Sequence, residues 1–124
     1  MKKHTFIQIS AILGALAVGI GAFGAHGLQP LLEANARVAT FETAVQYHFY
    51  HALAMLAISI WYSMSPEKKA LKWAMGLFLI GILIFSGSLY ILSLSGITWL
   101  GAITPIGGVA FIIAWITIIF AAKS

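Results

Sequence analysis

Glu42-Thr43-Ala44-Val45-Gln46-Tyr47-His48-Phe49-Tyr50-His51 opens a segment that stays apolar as far as Tyr62. The other long apolar runs of the chain carry almost no ionisable side chain. Here two histidines, a glutamine and two tyrosines enter what reads as a helix crossing a membrane. No other part of the sequence suggests a chemistry.

The rest of the composition sets the class. Of 124 residues, 61% are hydrophobic and 8% are charged, against roughly a quarter charged in a soluble domain. Several apolar runs reach the ~20 residues needed to cross a bilayer core. The reading is a single all-α integral membrane domain over residues 1–124. The net charge of +4 comes from lysines at the ends of apolar runs, which sets membrane orientation and gives no reason to expect nucleic acid. Without cysteine there are no disulfides, thiolate metal sites or cysteine nucleophiles.

Four spans are predicted, at about 5–25, 41–63, 71–94 and 105–122. The first follows the basic start Met1-Lys2-Lys3-His4. A signal peptide ending near Ala22–Ala25 is the alternative, but the run exceeds the ~7–15 residues of a signal core. Gly14, Ala17, Gly21 and Gly24 give this helix a small-residue face on which another helix can lie closely. Residues 27–39 form the first loop. There Pro30 can open a short interfacial helix with Leu28, Leu31 and Leu32 on one side and Glu33 paired with Arg37 one turn on, a plain solvated loop being the alternative.

Thr40 is the expected N-cap of the second span, with Glu42 in its first turn and Trp61 and Tyr62 at its far interface. Ser65 with Pro66 is the expected start of the third, which carries Gly76, Gly81 and Gly87 and stops at Gly96. The uncharged connection 97–104 stays in the interface and is partly re-entrant. Thr104-Pro105 restarts the last helix, whose small face is Gly107, Ala110 and Ala114. Lys2, Lys3, Lys68, Lys69, Lys72 and Lys123 then share one side and Arg37 takes the other, so both termini are cytoplasmic.

The strings Gly21-Ala22-Phe23-Gly24-Ala25-His26-Gly27-Leu28 and Thr43-Ala44-Val45-Gln46-Tyr47-His48-Phe49-Tyr50-His51-Ala52-Leu53 are distinctive together. Gly87-Ser88-Leu89-Tyr90 and Ile103-Thr104-Pro105-Ile106-Gly107-Gly108 follow in the same order. The whole chain thereby resembles a family of small bacterial membrane proteins, domain of unknown function 423, to which transmembrane protein 256 of animals is related. The resemblance implies a four-helix protein of the bacterial cytoplasmic membrane. It implies no settled substrate, reaction or catalytic residue.

With Glu42 at zero and ~100° per residue, Gln46 falls at ~40°, Tyr50 at ~80°, Tyr47 at ~140°, His51 at ~180° and His48 at ~240°. Polar groups spread this widely predict a central helix touched on three sides, with Val45, Phe49, Ala52, Leu53, Leu56 and Ile60 left for lipid. Counted from Thr40 at ~1.5 Å per residue, the histidines lie ~12–17 Å deep, near the middle of a ~30 Å core.

Polar groups at that depth need partners, and Ser86, Ser88 and Tyr90 of the third span are the candidates, with His26, Glu42 and Thr104 nearer the outer surface. The first reading is a structural or accessory membrane protein whose interhelical hydrogen bonds fix packing. The alternative is a transport or sensing protein in which His26, Glu42, Gln46, Tyr47, His48 and His51 form an outward-facing proton or small-ligand site. A metal or haem held by His48 and His51, one turn apart, is a third. Ser86 or Ser88 as a nucleophile beside His51 lacks a framing motif, so no enzyme is implied. No cofactor is named by these residues. Beyond the bilayer itself, the Gly/Ala faces offer a route to a homo-oligomer or a membrane-protein partner.

Overall fold

The computed structural model describes residues 4–123; Lys2 and Lys3 lie outside them. Six α-helices follow in order: α1 (Thr5–His26), α2 (Gln29–Ala34), α3 (Val38–Met64), α4 (Lys69–Gly81), α5 (Gly87–Ser95) and α6 (Thr104–Lys123). A π-helical segment, Ile82–Ser86, joins α4 to α5, and a 3₁₀ turn, Thr98–Ala102, precedes α6. No strand interrupts them among the described residues.

Local chemistry sets most of the boundaries, and in several places it differs from the sequence reading. Pro30 lies in the first turn of α2 as expected, and Leu32 is buried from it. Glu33 does not reach Arg37, because α2 ends at Ala34 and Ala36 takes a left-handed conformation (φ 54°). Gln29 Nε2 bonds Glu33 instead, at 3.1 Å. The same reversal starts α3 early. Arg37 N–H bonds the Leu32 carbonyl and the helix begins at Val38, so Thr40 is inside it and Glu42 lies past its first turn.

Ser65 closes α3, its N–H bonded to the Trp61 carbonyl, and therefore does not open the next helix; α4 begins at Lys69. Gly96 is the expected stop, at φ 77° with its N–H on the Leu92 carbonyl. The predicted uninterrupted third helix is a continuous rod from Lys69 to Ser95 with the π segment in its middle.

Three helical stretches are long and apolar enough to cross a membrane: Thr5–His26, Lys69–Ser95 and Thr98–Lys123. The fourth long helix, α3, has the length, at 27 residues. It lacks the hydropathy, because Gln46, Tyr47, His48, Tyr50 and His51 offset its leucines and isoleucines. The helices run antiparallel. Phe6 at the start of α1 meets Tyr62 at the end of α3, and Lys68 Nζ donates to the Ala121 carbonyl near the end of α6. At the other end Asn35 Nδ2 donates to the Ser93 carbonyl. α3 packs on α1 on one side and on α4, the π segment and α5 on the other, while α6 lies against α4 and the π segment.

Glycine matters most where backbones touch. A Cβ at Gly107 would collide with the backbone of Phe85 in the π segment, and one at Gly81 with the Phe111 ring. Several positions of the small-residue faces are thus used within the chain, while Gly14 of α1 meets nothing within 4 Å. Gly24 and Ala17 of α1 are buried, with Gly24 against Phe41 of α3, and Gly107, Ala110 and Ala114 are buried on α6. Large aliphatic residues such as Ile12, Val18, Leu83 and Ile119 point outward instead, an arrangement suited to lipid and not to water.

Candidate functional site

α3 touches α1, α4, the π segment and α5, as expected of a central helix, but its buried side chains fill a narrower arc than three covered sides would give. On the angular scale used above, its buried residues Ile58, His51, Ala44, Met55, His48, Phe41, Ser59 and Ala52 occupy an arc of ~120°, from ~160° to ~280°. Ala52, expected to face lipid, is in that arc. Glu42, Gln46 and Tyr50 share the outward arc with Leu53 and Ile60. The predicted polar set is therefore split between two faces of the helix.

His51 is 6% exposed and lies over the Phe111 ring, with centroids 3.6 Å apart and planes 9° from parallel. Both ring nitrogens are engaged. Nδ1 lies 2.7 Å from the Tyr47 carbonyl, which can only accept, so the proton is on Nδ1. Trp115 Nε1–H donates to Nε2 at 3.2 Å, so Nε2 carries a lone pair. Together the two bonds define a neutral imidazole in one tautomer. Tyr47 stacks on Phe85 (4.7 Å), and Phe78 and Trp115 complete an aromatic cluster around the ring.

His48, 3% exposed, meets α5 rather than α6. Its Nδ1 is 2.7 Å from the Tyr90 hydroxyl of α5. The ring also lies beside the Leu13 backbone of α1, yet Nε2 is buried with no hydrogen-bond partner.

Of the predicted partners, only Tyr90 meets a histidine. Ser86 donates to the Ala44 carbonyl at 2.8 Å, so a side chain of the π segment bonds the backbone of α3. Ser88 and Thr104 bond each other at 2.6 Å, tying α5 to the start of α6. Neither serine bonds His51, so no serine–histidine pair exists among these residues. His26 is exposed at the end of α1 and joins none of these bonds. Glu42 and Gln46 line a cleft of about 370 Å³ with Gln29, over Gly21 and Gly24. Among the described residues no three histidine or acidic side chains come together as a metal site would need.

Two residues that complete the arrangement were not anticipated: Trp115 and Phe111, both from α6. Trp115 had a legible signal. It lies eleven residues past Thr104, ~16 Å along the helix at ~1.5 Å each, whereas membrane tryptophans concentrate at the interfaces. An indole N–H at mid-span needs an acceptor.

The model of the family described as protein of unknown function (DUF423) matches residues 20–108, which include α3, the π segment and Tyr90. The chain belongs to this family. Among its DUF423 relatives, the UPF0382 membrane protein YwdK of Bacillus subtilis is 49% identical over 94% of each chain. A UPF0382 membrane protein of Staphylococcus saprophyticus is 46% identical over 92% of each. One from Haemophilus influenzae is 39% identical over 95% of this chain and 93% of its own. No solved structure matches. With three helices apolar enough to cross, this DUF423 member is a multi-pass protein of the cytoplasmic membrane.

Proposed function

We propose that the protein is a structural or accessory membrane protein of four spans, in which α3 is the fourth and its buried histidines lock helices together. The observation that carries this reading is His51, whose two nitrogens are both used, one within α3 and one on Trp115 of α6. A relay histidine must take a proton and release it; here protonation of Nε2 would break the bond to Trp115. A metal would displace the same bond, and His48 is directed to a different helix, so the donor set does not fit a two-histidine metal or haem site.

The length of α3, 27 residues at ~1.5 Å each, exceeds a ~30 Å hydrocarbon core. Lys68 beside Ala121, and Lys69, Lys72 and Lys123 at that same end, oppose Arg37 at the other. This supports cytoplasmic termini, with α2 lying in the outer interface.

The test is native and elemental mass analysis of the protein purified in mild detergent, beside the His48→Ala/His51→Ala variant. An empty wild type with a variant that melts earlier is the expected result. A metal or small molecule held by wild type and lost by the variant would overturn it in favour of an outward-facing site. That second reading draws on the unpartnered Nε2 of His48 and on the Glu42–Gln46–Gln29 cleft.

A further inference from the structure

At the lysine-rich end, a groove of about 620 Å³ runs down the outer face of α4 beside the start of α1. Its mouth carries Lys69 and Lys72, its shoulder Trp73, and its apolar floor Gly76, Ile80 and Phe6. Three observations identify what fits it. Lys69 and Lys72 are exposed and, among the described residues, form no ion pair or side-chain hydrogen bond. Their neighbour Lys68 is spent on the Ala121 carbonyl and the Trp61 ring. Trp73 is 72% exposed, in the position where an indole rests among headgroups.

From Lys69 to Ile80 the groove descends eleven residues, ~16 Å at ~1.5 Å each, which is the depth of one leaflet of a ~30 Å core. At Gly76 an added Cβ would meet nothing within 4 Å, so the floor is open space rather than a helix contact.

We propose that this groove binds an anionic glycerophospholipid of the cytoplasmic leaflet, its phosphate between the Lys69 and Lys72 ammonium groups and one acyl chain over Gly76. Cationic groups at the mouth supply the charge complement, and the leaflet-deep apolar floor supplies the chain contact. The assignment of the leaflet rests on the inward lysine end proposed above. Binding itself does not, so the two fail separately.

The experiment is titration of phosphatidylglycerol and of phosphatidylcholine onto the protein in mild detergent, read by native mass spectrometry. Wild type retains phosphatidylglycerol over phosphatidylcholine. Lys69→Gln/Lys72→Gln lowers that retention ~25-fold, about fivefold per lysine, and Lys123→Gln leaves it unchanged. Gly76→Leu, whose Cβ would meet nothing within 4 Å, puts a side chain on the floor and lowers retention with both lysines present. Equal retention of the two lipids would overturn the proposal. So would a Lys123→Gln loss as large as the double variant's, which would mean diffuse attraction. Competition by soluble glycerol phosphate as strong as by the lipid would do the same. Both lysines are exposed, so their variant remains informative should Gly76→Leu fail to fold.

Discussion

The bond between Trp115 and His51 can be measured apart from everything else the two rings do. His51→Phe keeps a flat ring over Phe111, where the centroids are 3.6 Å apart, but removes the acceptor for Trp115 and the donor to Tyr47. Trp115→Phe keeps an aromatic against Phe78, 5.1 Å from it in the native protein, but removes the indole N–H. Each single variant strands one polar group where no water replaces the partner, at a cost of ~1–3 kcal/mol. The double variant strands neither. Interhelical bonds measured in this way average ~0.6 kcal/mol and reach ~1.7. The stacked, enclosed position of His51 places this one in the upper part of that range, at about 1 kcal/mol. The assay is unfolding by sodium dodecyl sulfate in mixed micelles, followed by far-ultraviolet circular dichroism so that loss of a tryptophan does not alter the signal. A double variant less destabilised than the sum of the singles by about 1 kcal/mol is expected. Additivity within ~0.3 kcal/mol would mean that the two nitrogens are not bonded and would remove the main support for a packing role.

Gly107→Ala should destabilise by ~2 kcal/mol or more, because the new methyl meets the Phe85 backbone rather than a side chain that can turn; Gly14→Ala, into open space, should stay within ~0.5 kcal/mol. The same unfolding assay reads both. Tyr90→Phe leaves His48 without its Nδ1 partner and should cost ~1–3 kcal/mol, whereas Tyr50→Phe on the outward face should cost under ~0.5; equal effects would contradict the burial of the His48–Tyr90 pair. The absence of cysteine permits single-cysteine topology mapping. In intact cells a membrane-impermeant maleimide should label Leu31→Cys and spare Glu67→Cys, and the reverse pattern would overturn the orientation.

Membrane residence and some helix ends were legible because each follows from a local rule: apolar length, glycine or proline at a helix end. Gly96 and Pro30 did what their backbone chemistry requires. What escaped the sequence depended on contacts between helices. The ~100° rule placed every α3 side chain in the right direction, yet it could not say which directions other helices would cover. The polar residues were treated as a single set, although Glu42, Gln46 and Tyr50 share one arc and His48 and His51 the opposite one. Ser86 was assigned to a histidine, but the π segment, which no residue pattern announces, aims it at the Ala44 carbonyl. Ala36 at φ 54° moved the start of α3 by several residues, and a left-handed alanine has no signature in composition.

The low hydropathy of α3 and the wiring of its histidines are two sides of one arrangement. A helix with buried imidazoles is costly in lipid until those rings find partners, and here every side-chain partner lies later in the chain. His48 waits for Tyr90 of α5, and His51 waits for Trp115 of α6. Even the Ala44 carbonyl takes its extra bond from Ser86. The first half of the chain meets α3 through Gly24 and Phe41, Phe6 and Tyr62, and the Ser10 and Ser59 hydroxyls, and none of these places a side chain on an imidazole nitrogen. The polar groups therefore make the two halves interdependent: α1–α3 alone would leave His51 Nε2 and His48 Nδ1 without their side-chain partners, and α5–α6 alone would leave the indole of Trp115 and the Tyr90 hydroxyl without their acceptor and partner. A ligand path would keep such groups reachable from one surface. Bonds that close only when α6 has docked are what a packing role requires.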